Sequence, residues 1–134
     1  MGRWVEIEHT ADLALHVWGQ DLADLFTTAA QGMFSLLAEP GGQAPIVTRA
    51  IRLAALDVET LLVDWLNELL YFHEVDEAVY WDVSFSQLSM TTLAAEARGV
   101  PVGERRAHIK AVTFHNLAVV VGSEQCEVEL VFDV

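Results

Sequence analysis

Hydrophobic residues recur at every second position twice near the start of the chain: Val5 and Ile7 alternate with Glu6 and Glu8, and a second alternation places Leu13, Leu15 and Val17 on one face. A period of two sends successive side chains to opposite faces, so both segments are predicted to be half-buried strands, with His9 to Asp12 near their junction. Beyond Gly19 the period lengthens. Leu22, Leu25, Phe26, Ala29, Met33 and Leu37 recur at helical spacing, which predicts a helix from Asp21 to about Leu37 that Gly32 weakens only modestly. Pro40-Gly41-Gly42 then breaks the chain, and a strand is expected from about Ile46 to Leu56. A second helix follows: Asp57 is a good N-cap, Glu59 suits the positive end of a helix, and Val58, Leu61, Leu62, Trp65, Leu69 and Phe72 form its apolar stripe.

The second half of the chain reads as extended. Val79, Trp81, Val83 and Phe85 alternate with Tyr80, Asp82, Ser84 and Ser86, and a further strand is expected through Leu93 to Arg98. Leu117 to Val121 and Cys126 to Phe132 flank Gly122-Ser123-Glu124, a loop of the kind that closes hairpins. On the last strand Cys126, Val128, Leu130 and Phe132 share one face, while Glu127, Glu129, Val131 and Asp133 share the other. Asp133 is therefore expected to project from the more polar face. No internal repeat, low-complexity segment or linker interrupts the pattern. The expectation is a single domain over residues 1–134, an α+β fold of two layers in which two helices pack on a mixed, mostly antiparallel sheet.

Composition narrows what such a domain does. With 134 residues, 53% of them hydrophobic, there is ample material for one core. The formal net charge of −13 disfavours broad capture of nucleic acid or of an anionic membrane, and suits a basic protein partner or a bound cation. Arg105, Arg106 and Lys110 lie close in sequence, which leaves room for a local anion contact. Cys126 is the one cysteine, so neither an internal disulfide nor a cysteine cluster for zinc is expected, in keeping with a reducing, intracellular setting. The segment Met1 to Glu6 has no apolar signal core, and no apolar run approaches the ~18 residues of a membrane span. The protein is expected in the cytoplasm, without membrane attachment.

Candidate chemistry gathers at the two ends. His9-Thr10-Ala11-Asp12 puts a titratable ring, a hydroxyl and a carboxylate just before an apolar strand; a turn in which Thr10 or Asp12 satisfies backbone donors explains it equally. Asp133-Val134 adds a terminal carboxylate one residue beyond a side-chain carboxylate. If the last strand lies beside the one carrying Asp12, these groups converge and repel one another unless a proton or cation intervenes. Hard oxygen donors suit calcium, magnesium or manganese better than zinc; the alternative is a frayed, solvated terminus. Lys110 opens Lys110-Ala111-Val112-Thr113-Phe114-His115, where an extended segment places Thr113 and His115 on one face and Lys110 on the other. Lys110 could pair with Asp12 or Asp133, meet an anionic group of a partner, or simply be solvated, and His115 has no neighbouring nucleophile to serve as general base. His73, Asp76 and Glu77 also resemble a ligand set, although the helix dipole accounts for His73 and solvation for the two acids. There is no Walker phosphate loop, dinucleotide glycine fingerprint, H-E-x-x-H zinc motif or G-x-S-x-G elbow, so no self-contained enzyme is expected.

Taken together, Glu8-His9-Thr10-Ala11-Asp12, Gly19, the helix segment from Leu61 to Tyr71, Lys110 to His115 and Phe132-Asp133-Val134 resemble the archease family, in an order and spacing that cover nearly the whole chain. Phe114 stands where the family pattern favours Tyr or Trp. The resemblance implies an accessory protein for an RtcB-type RNA ligase, promoting its guanylylation from GTP and its multiple turnover in tRNA splicing or RNA repair, with RNA met only through the ligase. It implies a divalent-metal site at Asp12, Asp133 and Val134, the last through main-chain or terminal oxygens, with calcium the leading candidate and magnesium or manganese the alternatives. Lys110 matches a family lysine of functional importance, with His9 and His115 as further candidates. Two other readings of the same residues are a metal-dependent phosphatase or nuclease and a chaperone-like binding module.

Overall fold

The computed structural model describes residues 2–9, 12–114 and 116–134, with all of their side chains except those at 8, 9 and 12. The first two alternating segments form strands β1 (Arg3–His9) and β2 (Asp12–Gly19). Helix α1 (Leu22–Leu37) begins where the sequence places it, because the Asp21 carboxylate accepts the Asp24 N–H at 2.8 Å and so satisfies one of the free donors of the first turn. Gly19 makes that start possible. A Cβ there would lie 2.4 Å from the Leu25 backbone nitrogen, so the helix could not settle against the end of β2.

Strands β3 (Ala38–Pro40) and β4 (Val47–Ala54) lead to α2 (Val58–Asp76), which is capped in the same way, the Asp57 carboxylate accepting the Thr60 N–H at 2.8 Å. Glu77, in the left-handed conformation at φ 52°, ends α2 and turns the chain into β5 (Ala78–Leu88). The long β6 (Thr92–Arg105) follows, then the short β7 (Ala111–Val112) and β8 (Val120–Val121), and finally β9 (Cys126–Asp133).

The α+β class and the two helices on antiparallel strands are as the sequence predicts, but the strands divide into two sheets. One has the order β1-β2-β9-β7, with β8 also on β9; the other has the order β3-β6-β4, with β5 on β6. Every pairing among the described residues is antiparallel. The reason lies in the helices. α1 buries Leu25, Phe26, Ala29, Ala30, Met33, Phe34 and Leu37, together with Thr28 and Gly32, more than a single stripe. A helix apolar on two sides has to be covered on two sides. α1 accordingly touches β2 and β9 of the first sheet and β5 and β3 of the second, and α2 touches β4, β5 and β7.

Both sheets and both helices meet in one hydrophobic cluster whose largest wholly buried side chains are Trp65, Tyr80, Phe26, Phe34 and Phe132. The Trp65 indole N–H donates to the Phe26 carbonyl at 3.1 Å, so this bulky core residue leaves no orphaned donor. The hairpin expected from Leu117 onward is shorter than predicted: only Val120–Val121 pairs with β9, closed by Gly122 N–H donating to Gln125 O at 2.8 Å. No helix among the described residues is long and apolar enough to cross a membrane.

Candidate functional site

Whether the two ends of the chain meet depends on the neighbours of β2. They are β1 on one side and β9 on the other, and the β2–β9 register runs from Gly19↔Cys126 to Leu13↔Phe132. One step further along this antiparallel ladder the backbone of Asp12 comes beside that of Asp133. His9 is the β1 partner of Asp12, and Ala111 of β7 is the partner of Asp133. His9, Asp12, Asp133 and Ala111 therefore form one backbone row across four strands.

Alternation along β9 explains why this row is accessible at one end. Val128, Leu130 and Phe132 are buried in the core, while Asp133 is exposed and Val134 is 42% exposed. The row is tied down beside Asp133. The Lys110 N–H donates to the Asp133 carbonyl at 2.7 Å, and the Thr113 N–H and hydroxyl both donate to the Val131 carbonyl, at 3.0 and 3.1 Å. Asn67 on α2 supplies the tie that sequence reasoning missed: its side-chain carbonyl accepts the Val112 N–H at 2.9 Å, fixing the 110–112 segment between helix and sheet. The sequence carries no signal for that role, because the partner N–H lies 45 residues further along the chain.

The side chains of Asp12 and His9, and the whole of Thr10, Ala11 and His115, lie outside the described residues. Among the described ones, no three His, Cys, Asp or Glu side chains gather as a metal site. The proposed donors nevertheless fit a hard cation in kind. Asp133 and Val134 offer exposed oxygen, and the carboxylate-bearing residue on the neighbouring strand is Asp12. Lys110 is exposed one residue before Ala111, close to that row along the backbone.

The remaining candidates resolve differently. His73 is not a charged residue at a helix end; it is buried, its Nδ1 lies 2.7 Å from the Ala78 carbonyl, and burial holds its pKa below the ordinary value, keeping the ring neutral. Asp76 is not merely solvated. It takes a bidentate pair from Arg49, at 2.9 and 2.6 Å, and a hydrogen bond from the Tyr80 hydroxyl, and the Arg49 contact lowers its pKa most. Arg105 and Arg106 are drawn apart from Lys110: Arg106 pairs with Glu39 and donates to the Ser35 carbonyl at 2.9 Å, and Arg105 lies 3.8 Å from Glu77. Cys126 is buried, and burial raises the pKa of its thiol, which stays protonated.

Residues 4–134 match the model of the Archease protein family. The protein named archease from Methanosarcina acetivorans is 32% identical over 136 residues, an alignment covering 96% of this chain and 93% of that one. Among solved structures, the solution structure of Methanobacterium thermoautotrophicum protein 1598 is similar with a TM-score of 0.77 at 26% identity, covering 98% of both chains. A Thermotoga maritima crystal structure, described as an archease, possible chaperone, is similar in fold with a TM-score of 0.67 at 23% identity, covering 96% of this chain and 94% of that one.

Proposed function

The chain belongs to the archease protein family, and on that premise we propose that it is a cytoplasmic accessory protein that activates an RtcB-type RNA ligase, promoting its GTP-dependent guanylylation and repeated turnover. The observation that carries this reading is the strand order: the β2–β9 ladder brings the first and last family motifs into one row, with Lys110 bonded to its end. In this reading Asp12, Asp133 and a main-chain or terminal oxygen of Val134 hold a divalent cation, calcium first and magnesium or manganese as alternatives. When bound, such a cation supplies positive charge that offsets repulsion among phosphate oxygens during nucleotidyl transfer. The chain's own part is to position oxygen donors, to present Lys110 beside them, and to bring an acidic surface to a basic mouth on the ligase, which carries the nucleophile.

The test is a ligation assay with RNA in excess over a purified RtcB-type ligase, with and without this chain. The chain is expected to convert a slow or single round into many, and Asp12→Asn and Asp133→Asn are each expected to abolish that gain without unfolding the protein. Full stimulation by both variants would overturn the metal part of the reading; no stimulation by the unaltered chain would overturn the reading itself. A chaperone-like role is the second reading, favoured by the description of the Thermotoga relative. It predicts stimulation that survives both substitutions.

A further inference from the structure

α2 turns Leu61, Leu62, Val63, Trp65, Leu66, Leu69 and Leu70 to the core, yet its outer face is not uniformly polar. Asp64, Glu68, Tyr71 and Val75 follow one another at helical spacing along it, and Tyr71 and Val75 are 60% and 56% exposed. Beside Tyr71 opens a groove of about 550 Å³ between α2 and the 108–111 segment, with Leu70 in its floor. Exposed apolar residues scattered singly need no explanation, but Tyr71 lines an apolar groove, and Val75 is exposed one helical turn further along the same face of α2.

We propose that the groove between α2 and residues 108–111 docks the partner ligase, taking an apolar side chain from a surface segment of that protein flanked by Lys or Arg. This rests on the reading that the chain assists a ligase, and adds where it is gripped. The basic flank follows from charge. Glu74 lines the groove and lies 3.8 Å from the His108 ring across it, Asp64 and Glu68 stand further back on the outer face of α2, and the chain as a whole carries −13. That field attracts a basic segment and repels nucleic acid or an anionic membrane. A second copy of this chain is a poor occupant, because pairing this face with itself sets the same carboxylates against one another.

Continuity with the candidate site favours the same occupant. Lys110 lines the groove, and its N–H donates to the Asp133 carbonyl at 2.7 Å. A segment seated in the groove thus lies next to the Asp133 row, so docking and activation share one residue. A large ring closing over a partner's apolar side chain is the kind of contact that dominates interface energy.

The experiment is a calorimetric or surface-binding titration of the whole chain against the purified ligase, using Tyr71→Ser/Val75→Ser and, separately, Glu74→Lys. Both changes fall on exposed positions, so the thermal midpoint and calcium binding are expected to stay as in the unaltered chain. The double variant is expected to raise Kd about 30-fold or more and to regain stimulation at high concentration. Glu74→Lys is expected to weaken binding and to flatten its dependence on salt. If the unaltered chain stimulates the ligase, Asp133→Asn stops it, and the double variant still binds and stimulates at unaltered concentration, the groove is overturned while the proposed function stands. If the unaltered chain neither binds nor stimulates, both fall.

Discussion

Replacing Asn67 with Ala tests the claim that α2 holds the Lys110 segment in place. The Asn67 side-chain carbonyl accepts the Val112 N–H at 2.9 Å, and Val112 itself is buried. Truncation leaves that N–H without its acceptor in a place water barely reaches, which costs about 1–3 kcal/mol. For a chain of 134 residues, an unfolding entropy of about 2.1 cal/mol/K per residue gives roughly 0.28 kcal/mol/K in all, so a loss of about 1.5 kcal/mol lowers Tm by about 5 °C. The effect should also be local. Opening of the 110–112 segment becomes easier by the same amount, so amide exchange at Val112 accelerates about tenfold, while exchange at the middle of β6 follows only global stability. Asn67→Asp, which keeps an acceptor at the same place, should restore most of the protection. Unfolding in urea, followed with exchange measured by NMR, reads both quantities. An Asn67→Ala protein with unchanged Val112 exchange and stability within about 0.5 kcal/mol would show that α2 does not hold this segment.

Two further outcomes follow from packing and burial. Gly19→Ala forces a Cβ to 2.4 Å from the Leu25 nitrogen at the start of α1, backbone that cannot step aside without unseating the helix, and is expected to cost about 3 kcal/mol in thermal or denaturant unfolding. His73, whose pKa burial lowers in the folded state, binds its proton more tightly when unfolded; stability is complete above the unfolded value of about 6.5 and declines as pH falls below it. Urea midpoints at pH 7.5 and 5.5 should differ in that direction, and His73→Gln should flatten the difference.

Much of this fold was legible in the sequence, for identifiable reasons. Both helix starts were, because Asp21 and Asp57 each satisfy an otherwise free donor of a first turn, a requirement that acts within three residues. The faces of β9 were legible because alternation fixes them without knowledge of any partner. Its neighbours were not. Periodicity says which way Asp133 points but not that β9 lies against β2, and the candidate site hangs on that pairing. The division into two sheets was present in α1 but easily overlooked, since Ala30 and Phe34 extend its apolar surface beyond one stripe. Asp76 reads from the sequence as a ligand candidate or a solvated acid, and nothing there singles out Asn67; their partners, Arg49 and Val112, are far away in sequence, and only the packed structure pairs them.

Titration calorimetry with calcium measures directly whether the row of Asp12 and Asp133 holds a divalent cation. A saturable single-site heat is expected for the unaltered protein, weakened at least about tenfold in both Asp12→Asn and Asp133→Asn, with the metal-free variants as stable as the original. Magnesium and manganese titrations should show the same dependence on both residues, whichever ion binds most tightly. Identical isotherms for the unaltered protein and Asp133→Asn, or no heat with any of the three ions, would contradict a cation site in that row.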